Sequence, residues 1–295
     1  MPPNQNKKER GRRGVARGRI ARLASGQRRT TEASRDFKFW RKAPPEAGGV
    51  RAKKSLGQNF LMHQAIADRI ADAAKLTKED VVLEIGPGTG MLTRALLARA
   101  GKVIAVETDE ELVPRLTETF AKELAEGRLE LIHADIRSFD PASLPKGYAL
   151  VANIPYYLSG ELFRAFLTAG NKPKTLVFLV QKEVAARIAR SKKESLLSLS
   201  VKAYGTPKLE FLVPRGAFLP APNVDSAVLS IRGISGRNFS TAAEEKRFFE
   251  LLHAGFAHKR KFVRKNLMEA GFSAGTIPEK TRAEDLTLED WLRLI

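Results

Sequence analysis

The chain has no cysteine, which rules out disulfides and every zinc site built on thiolates. Histidine is scarce too: His63, His133, His253 and His258 form no HExxH or other short ligand pair, so the sequence offers no metal centre. Long hydrophobic runs are missing. The longest apolar stretch near the middle, LVFLV at 176–180, is far short of the roughly 18 residues a membrane-spanning helix requires. Acidic residues are in deficit, with 33 Asp and Glu against 51 Lys and Arg for a net charge of +18. A basic protein of this kind is expected to meet phosphate, and no membrane partner is expected.

What is present fits a globular chain with a sizeable core, since 43% of its 295 residues are hydrophobic. The charge is unevenly spread. Residues 1–50 carry fourteen Lys or Arg and four acids, which is +10 of the total. With few large apolar side chains, this stretch is expected to be a disordered basic extension when isolated. A solubilising tail, an RNA-contacting arm and a mitochondrial transit peptide are all open readings of it.

From Ser55 onward, short apolar runs alternate with helix-like segments. VVL (81–83), VIAV (103–106), LELI (129–132), ALVA (149–152) and TLVFLV (175–180) read as strands. Segments 91–100 and 110–124 between them read as helices. Such alternation predicts an α/β fold with a parallel sheet covered on both faces. KLEFLV (208–213) and VDSAVLSI (224–231) are placed to pair as an antiparallel edge. The Gly/Ser-rich break GISGRNFS (233–240) divides a sheet domain, 51–234, from a small helical C-terminal domain, 241–295.

Ligands of open parallel sheets bind beyond the carboxyl ends of the strands. There the sequence places EIGPGTG (84–90), then Glu107, Asp135 and Asn153 in successive strands. Gly86 and Gly88 would let the backbone approach a ligand, and Glu107 is placed to accept from ribose hydroxyls. A dinucleotide fingerprint would need glycine at 91, where Met91 stands, and no P-loop lysine follows. GxGxG preceded by the acidic Glu84 is instead the pattern of an S-adenosylmethionine site. A tight turn and solvated strand ends would account for any one of these residues singly, but less well for all four together.

The fourth strand ends in NIPYY (153–157). An exocyclic amine on adenine or cytosine is a poor nucleophile because its lone pair is delocalised into the ring. Acceptors against its N–H groups help to localise that pair. The Asn153 side-chain oxygen and the Ile154 carbonyl are candidates, with Pro155 stiffening the turn that aims them. Tyr156 would stack on a base drawn out of its helix. No strong general base is demanded, because the amine becomes acidic only as it gains positive charge.

These motifs in combination resemble the rRNA adenine N6-dimethyltransferase family, and within it the bacterial KsgA type. The resemblance covers residues 51–292 through LGQNFL (56–61), EIGPGTG, VET (106–108), AD (134–135), NIPY, QKEVAARI (181–188), FLPAPNVDSAV (218–228), FAHKRKFVRKNL (256–267) and RAEDLTLEDWL (282–292). It implies a Rossmann-like methyltransferase domain, a small helical domain, and two methyl transfers from S-adenosylmethionine to each target adenine of small-subunit (16S) rRNA. It further implies that Asn59, Leu61, Gly86, Gly88, Glu107, Asp135 and Asn153 line the cofactor site. Glu107 would take the ribose and Asp135 the adenine amine of the cofactor. Asn153, Ile154, Pro155 and Tyr156 would form the reaction pocket, with Phe218 as a second stacking ring or a core residue.

Two departures keep the large-subunit Erm type open: isoleucine at 154, where the KsgA type more often has leucine, and the arginine-rich extension. A ribosome-assembly factor acting mainly by docking is the remaining alternative. The expected partner is small-subunit rRNA or a pre-30S particle, met by a cytoplasmic monomer. RNA contact is expected from HKRKFVRK (258–265), which carries Lys259, Arg260, Lys261, Arg264 and Lys265 and no acid. As a helix, this segment would turn Phe262 and Val263 toward the core. Lys53 and Lys54 would extend the basic track.

Overall fold

The computed structural model describes residues 51–295; the basic extension expected over 1–50 lies outside the described residues. Along the chain run β1 (Phe60–Leu61), α1 (Gln64–Ala73), β2 (Val81–Ile85), α2 (Met91–Leu97), β3 (Lys102–Glu107), α3 (Leu112–Thr119), α4 (Ala121–Ala125) and β4 (Leu129–His133). Then follow β5 (Ala149–Asn153), α5 (Ser159–Thr168), β6 (Thr175–Gln181), α6 (Lys182–Ala189), α7 (Leu196–Lys202), β7 (Thr206–Val213), β8 (Phe218–Leu219) and β9 (Ser226–Arg232). Three helices close the chain, α8 (Ala242–Phe256), α9 (Val263–Glu269) and α10 (Leu288–Leu292).

The main sheet has seven strands in the order β4-β3-β2-β5-β6-β9-β7. β2 through β6 pair in parallel, and β9 joins antiparallel between β6 and β7. The antiparallel addition expected from the sequence is present, with β7 outermost and β9 inside the sheet. Burial explains the wording of the strands. β5 and β6 are covered on both faces and read as unbroken apolar runs, whereas the outer strands β4 and β7 mix polar residues among apolar ones.

Helices α5 and α2 show how the faces are closed. In α5 the buried set is Ser159, Leu162, Phe163, Phe166 and Leu167, an i, i+3, i+4, i+7, i+8 stripe laid on the sheet. The expected single helix over 110–124 is broken into α3 and α4 at Phe120, whose backbone leaves helical angles (φ −114°, ψ 26°). Phe120 is buried, and a Cβ on Gly90 would lie 2.5 Å from its ring. This tertiary seat beneath the glycine loop prevails over local helix propensity.

Two hydrophobic clusters sandwich the sheet. One joins Phe60, Ile66, Ile70, Leu96 and Leu116 to Val82, Val103, Val151 and Val177. The other joins Leu150, Phe163 and Phe178 to Phe248, Leu251, Leu252, Val263 and Trp291 of the C-terminal helices. Residues 233–240 form the irregular connection expected there, and the helices beyond it share that continuous apolar cluster. Outside the main sheet, β1 and β8 form an antiparallel ribbon, Phe60 opposite Leu219 and Leu61 opposite Phe218. Sequence periodicity gave no sign of this ribbon, because two residues per strand are too few to show alternation.

Candidate active site and basic surface

The chain order reverses between β2 and β5: from β2 it proceeds outward to β3 and β4, then returns to β5 on the other side. A crevice at the carboxyl ends of these strands is the expected ligand position. The structure has a pocket there, lined by the glycine loop, Glu107, Asp135, residues 153–158 and residues 56–61.

In the loop after β2, Gly86, Gly88 and Gly90 have φ of 65°, 60° and 82°. That left-handed backbone strains any side chain bearing a Cβ. At Gly86 a Cβ would meet nothing within 4 Å, so this stretch of backbone is open toward the pocket. Glu107, at the end of β3, is buried and accepts three backbone N–H bonds, from Thr108 and Asp109 at 2.9 Å and from Gly88 at 3.1 Å. Burial raises its carboxyl above the ordinary value, while the three N–H donors oppose the rise and fix its orientation. The loop and Glu107 are therefore one hydrogen-bonded unit.

Behind the loop lies Glu84, fully buried on β2. Neither carboxyl oxygen has a hydrogen-bond partner among the described residues, and the same holds for the buried hydroxyl of Thr93 on α2. Burial pushes Glu84 from 4.5 up to about 8; the nearby Thr93 hydroxyl opposes the rise and the charge of Glu107 adds to it. At neutral pH this carboxyl is mostly protonated.

At the end of β5, the Asn153 side-chain nitrogen donates to the Asn59 carbonyl at 3.0 Å. That bond fixes the amide, and its oxygen has no protein donor among the described residues. Asn59 in turn donates to the Gly57 carbonyl at 3.1 Å. Ile154 is buried, Pro155 and Tyr156 border the same pocket, and Tyr157 stands at its mouth with 64% of its surface exposed. Asp135 is on the opposite wall, with both oxygens taken by Arg137. Donation to its carboxylate from the Arg137 guanidinium, and then from the Arg137 backbone N–H, holds Asp135 below the usual carboxylate range.

Residues 56–61 form the remaining wall, held in part by contacts the sequence gave no means of finding. Asp109 is buried and receives Lys53 Nζ and Gln58 Nε2, each at 2.7 Å. Burial alone would raise Asp109, but these two donors keep it below the usual range. Lys53 also pairs with Glu111 at 3.0 Å. It is thus committed to the pocket wall rather than free to extend an RNA track. Lys54 is exposed.

The structure assembles Asn59, Leu61, Gly86, Gly88, Glu107, Asp135, Asn153, Ile154, Pro155 and Tyr156 around one pocket. Phe218 is not among its lining residues. It is 2% exposed and packed in the apolar cluster below the ribbon. The basic segment also differs from expectation. Residues 257–262 form a turn between α8 and α9, not a helix, leaving Phe262 43% exposed while Val263 is buried. Buried Asn266 holds the turn by donating to the carbonyls of Gly255 at 2.7 Å and His258 at 3.2 Å. Lys261 pairs with Glu269 and Arg264 donates to the Ile277 carbonyl. Lys259, Arg260 and Lys265 are exposed, with no protein partner among the described residues.

The sheet order, the glycine loop and the acidic residue ending β3 define a Rossmann-like methyltransferase whose cofactor is S-adenosylmethionine. The donor set fits that group: a carboxylate for ribose hydroxyls, a second carboxylate for an adenine amine, and open backbone between them. The sequence model of the family "Ribosomal RNA adenine dimethylase" matches residues 49–295, and the chain belongs to that family. Among curated relatives it is 42% identical over 261 residues to a ribosomal RNA small subunit methyltransferase A of Dehalococcoides mccartyi, covering 83% of this chain and 88% of the relative. It is 37% identical over 269 residues to the protein of the same name from Bacillus pumilus, covering 83% and 91%. Similar solved structures include the 23S rRNA methyltransferase ErmE, at 27% identity and TM-score 0.65 over 80% of this chain and 98% of that one. A dimethyladenosine transferase from Plasmodium falciparum matches at 29% identity and TM-score 0.65 over 80% and 95%.

Proposed function

We propose that this enzyme methylates the N6 amines of adenines in small-subunit (16S) rRNA, giving N6,N6-dimethyladenosine during ribosome biogenesis. The observation that carries the chemistry is the fixed amide of Asn153, whose nitrogen is spent on Asn59 and whose oxygen is left as an acceptor beside Tyr156 and the cofactor wall. The small-subunit assignment draws its support from the curated relatives, more similar to this chain than the Erm structure is.

S-adenosylmethionine, when bound, supplies an electrophilic methyl group. Glu107 and Asp135 would hold its ribose and adenine, with Gly86 and Gly88 giving backbone access and Asn59 and Leu61 closing the other side. The Asp135 carboxylate would accept from the cofactor's adenine amine. The Asn153 oxygen and Ile154 carbonyl accept from the target amine and draw its lone pair out of the ring, while Tyr156 stacks on the extruded base. Neither acceptor is a strong base, and none is needed: once the nitrogen carries positive charge its N–H is acidic, and the proton passes to water.

Residues 51–234 serve as the methyltransferase unit and 241–295 as the RNA-contacting unit, with Lys259, Arg260 and Lys265 meeting phosphate. Lys261 and Arg264 shape the turn that presents them. The substrate is small-subunit rRNA or a pre-30S particle, and the enzyme acts as a cytoplasmic monomer. The deciding experiment incubates the protein and methyl-labelled cofactor with separate unmethylated small and large subunits, followed by nucleoside mass spectrometry and fragment mapping. N6-dimethyladenine confined to small-subunit rRNA is expected. Label on large-subunit rRNA would move the enzyme to the Erm type, and none on either would favour a docking factor or a different substrate.

A further inference from the structure

Tyr156 lines the pocket, and its phenol meets a buried hydroxyl behind the wall in a contact to which the proposed chemistry gives no part. Tyr156 Oη and Ser226 Oγ lie 2.6 Å apart. Ser226 is fully buried at the start of β9, opposite Gln181 of β6 and Val213 of β7. A hydroxyl in such a place requires a partner, and Tyr156 is the one the fold supplies. The other buried serine of β9, Ser230, is satisfied by Glu210 at 2.7 Å, so the two positions are separately matched.

The opposite end of Tyr156 is held as well. Its carbonyl accepts from Ser159 Oγ at 2.8 Å, and the turn is closed by Leu158 N–H donating to the Pro155 carbonyl at 3.0 Å. With its backbone and phenol both tied, the ring has little freedom about χ1 and χ2. We propose that Ser226 is a positioning residue that locks the Tyr156 ring in the orientation that receives the extruded base. The inference rests on the reading of this site as an adenine methyltransferase pocket.

Burial raises the Tyr156 phenol above its ordinary value; Ser226 opposes the rise and Asp225 adds to it. The phenol therefore stays protonated and takes no proton from the target amine. Ser226 acts through geometry: a ring already held in place pays less ordering entropy when the base enters.

The test is a double-mutant cycle of Ser226→Ala and Tyr156→Phe, with cofactor affinity followed by calorimetry. Each single change is expected to lower kcat/KM for rRNA by roughly five- to tenfold, the scale of one net hydrogen bond. The double variant should lose no more than either single, and cofactor affinity should hold. Additive losses, native kcat/KM in Ser226→Ala, or a parallel fall in cofactor affinity would overturn the proposal.

Ring-labelled tyrosine NMR gives a readout apart from activity, since the chain has only four tyrosines. The hydroxyl-carbon signal missing from Tyr156→Phe should move in Ser226→Ala while the other three stay. An unmoved signal would refute the hydrogen bond. A native chain inactive on both subunits would refute the proposed function, whereas an active native chain unaffected by Ser226→Ala would refute this inference alone.

Discussion

Replacing Glu84 by glutamine should flatten the dependence of stability on pH. The folded carboxyl titrates near 8 and the unfolded one near 4.5, so between these values the folded state binds the extra proton. Stability from this group is fully present below the unfolded value and is lost as pH rises, until the folded carboxyl also ionises near 8. The slope is about 1.4 kcal/mol per pH unit. Integrated from pH 5 to pH 8, the loss is roughly 3.5 kcal/mol. For a chain of this size 1 kcal/mol moves Tm by roughly 2–4 °C, which makes the excess fall in native Tm about 10 °C.

The assay is thermal or urea unfolding of native and Glu84→Gln protein without cofactor, at half-unit pH steps. Glu107 is present in both proteins, and its own titration largely cancels in the difference. The cost of a buried glutamine amide is constant with pH and drops out of the slope. Parallel stability curves for the two proteins would refute the argument, because they would mean that Glu84 is charged in the folded state or has a partner that holds it ionised.

Four further outcomes are expected. Asn153→Ala should keep the fold by circular dichroism but reduce methyl transfer on the order of 100-fold, the scale of losing one aimed polar group in an active site; full activity would remove Asn153 from the chemistry. Changing Lys259, Arg260 and Lys265 together to alanine should reduce the slope of log affinity for rRNA against log salt by about 0.7–0.9 per lost phosphate contact. An unchanged slope would place the RNA elsewhere. Lys53→Met should raise the cofactor KM while leaving kcat in place, because it loosens the wall tied to Asp109; a fall in kcat alone would contradict that role. Gly255→Ala should destabilise by roughly 1–3 kcal/mol, measured by urea unfolding, since its Cβ would lie 2.2 Å from the Trp291 ring.

Strand-end polar residues were legible in the sequence because an apolar run stopped by Glu, Asp or Asn marks both the strand and its rim. The parallel core was legible for the same reason. Contacts between distant segments were not. Nothing local to Gln58 or Lys53 signals Asp109, more than fifty residues away, and nothing local to Ser226 signals Tyr156. The misread basic segment has a physical cause as well. HKRKFVRK has acceptable helix formers throughout, so propensity alone extends a helix through it. The fold stops α8 at Phe256 because Gly255 packs on Trp291 and Asn266 caps the turn from the next helix.

That turn also shows why charge composition overstates the RNA-binding surface. Five cations stand in the segment, but Lys261 pairs with Glu269, and Arg264, though still charged, donates to the Ile277 carbonyl. Lys53 is likewise consumed, at the opposite end of the polypeptide, by Asp109 and Glu111. Cations already paired release fewer counterions on meeting phosphate. The salt dependence of binding should follow Lys259 and Arg260 of the turn, Lys265 at the start of α9 and the still-charged Arg264, together with any contribution from residues 1–50. Comparing the salt slopes of the full chain and a chain beginning at residue 51 separates the two: an identical slope assigns the electrostatic contact to the folded part, and a large drop assigns it to the basic extension.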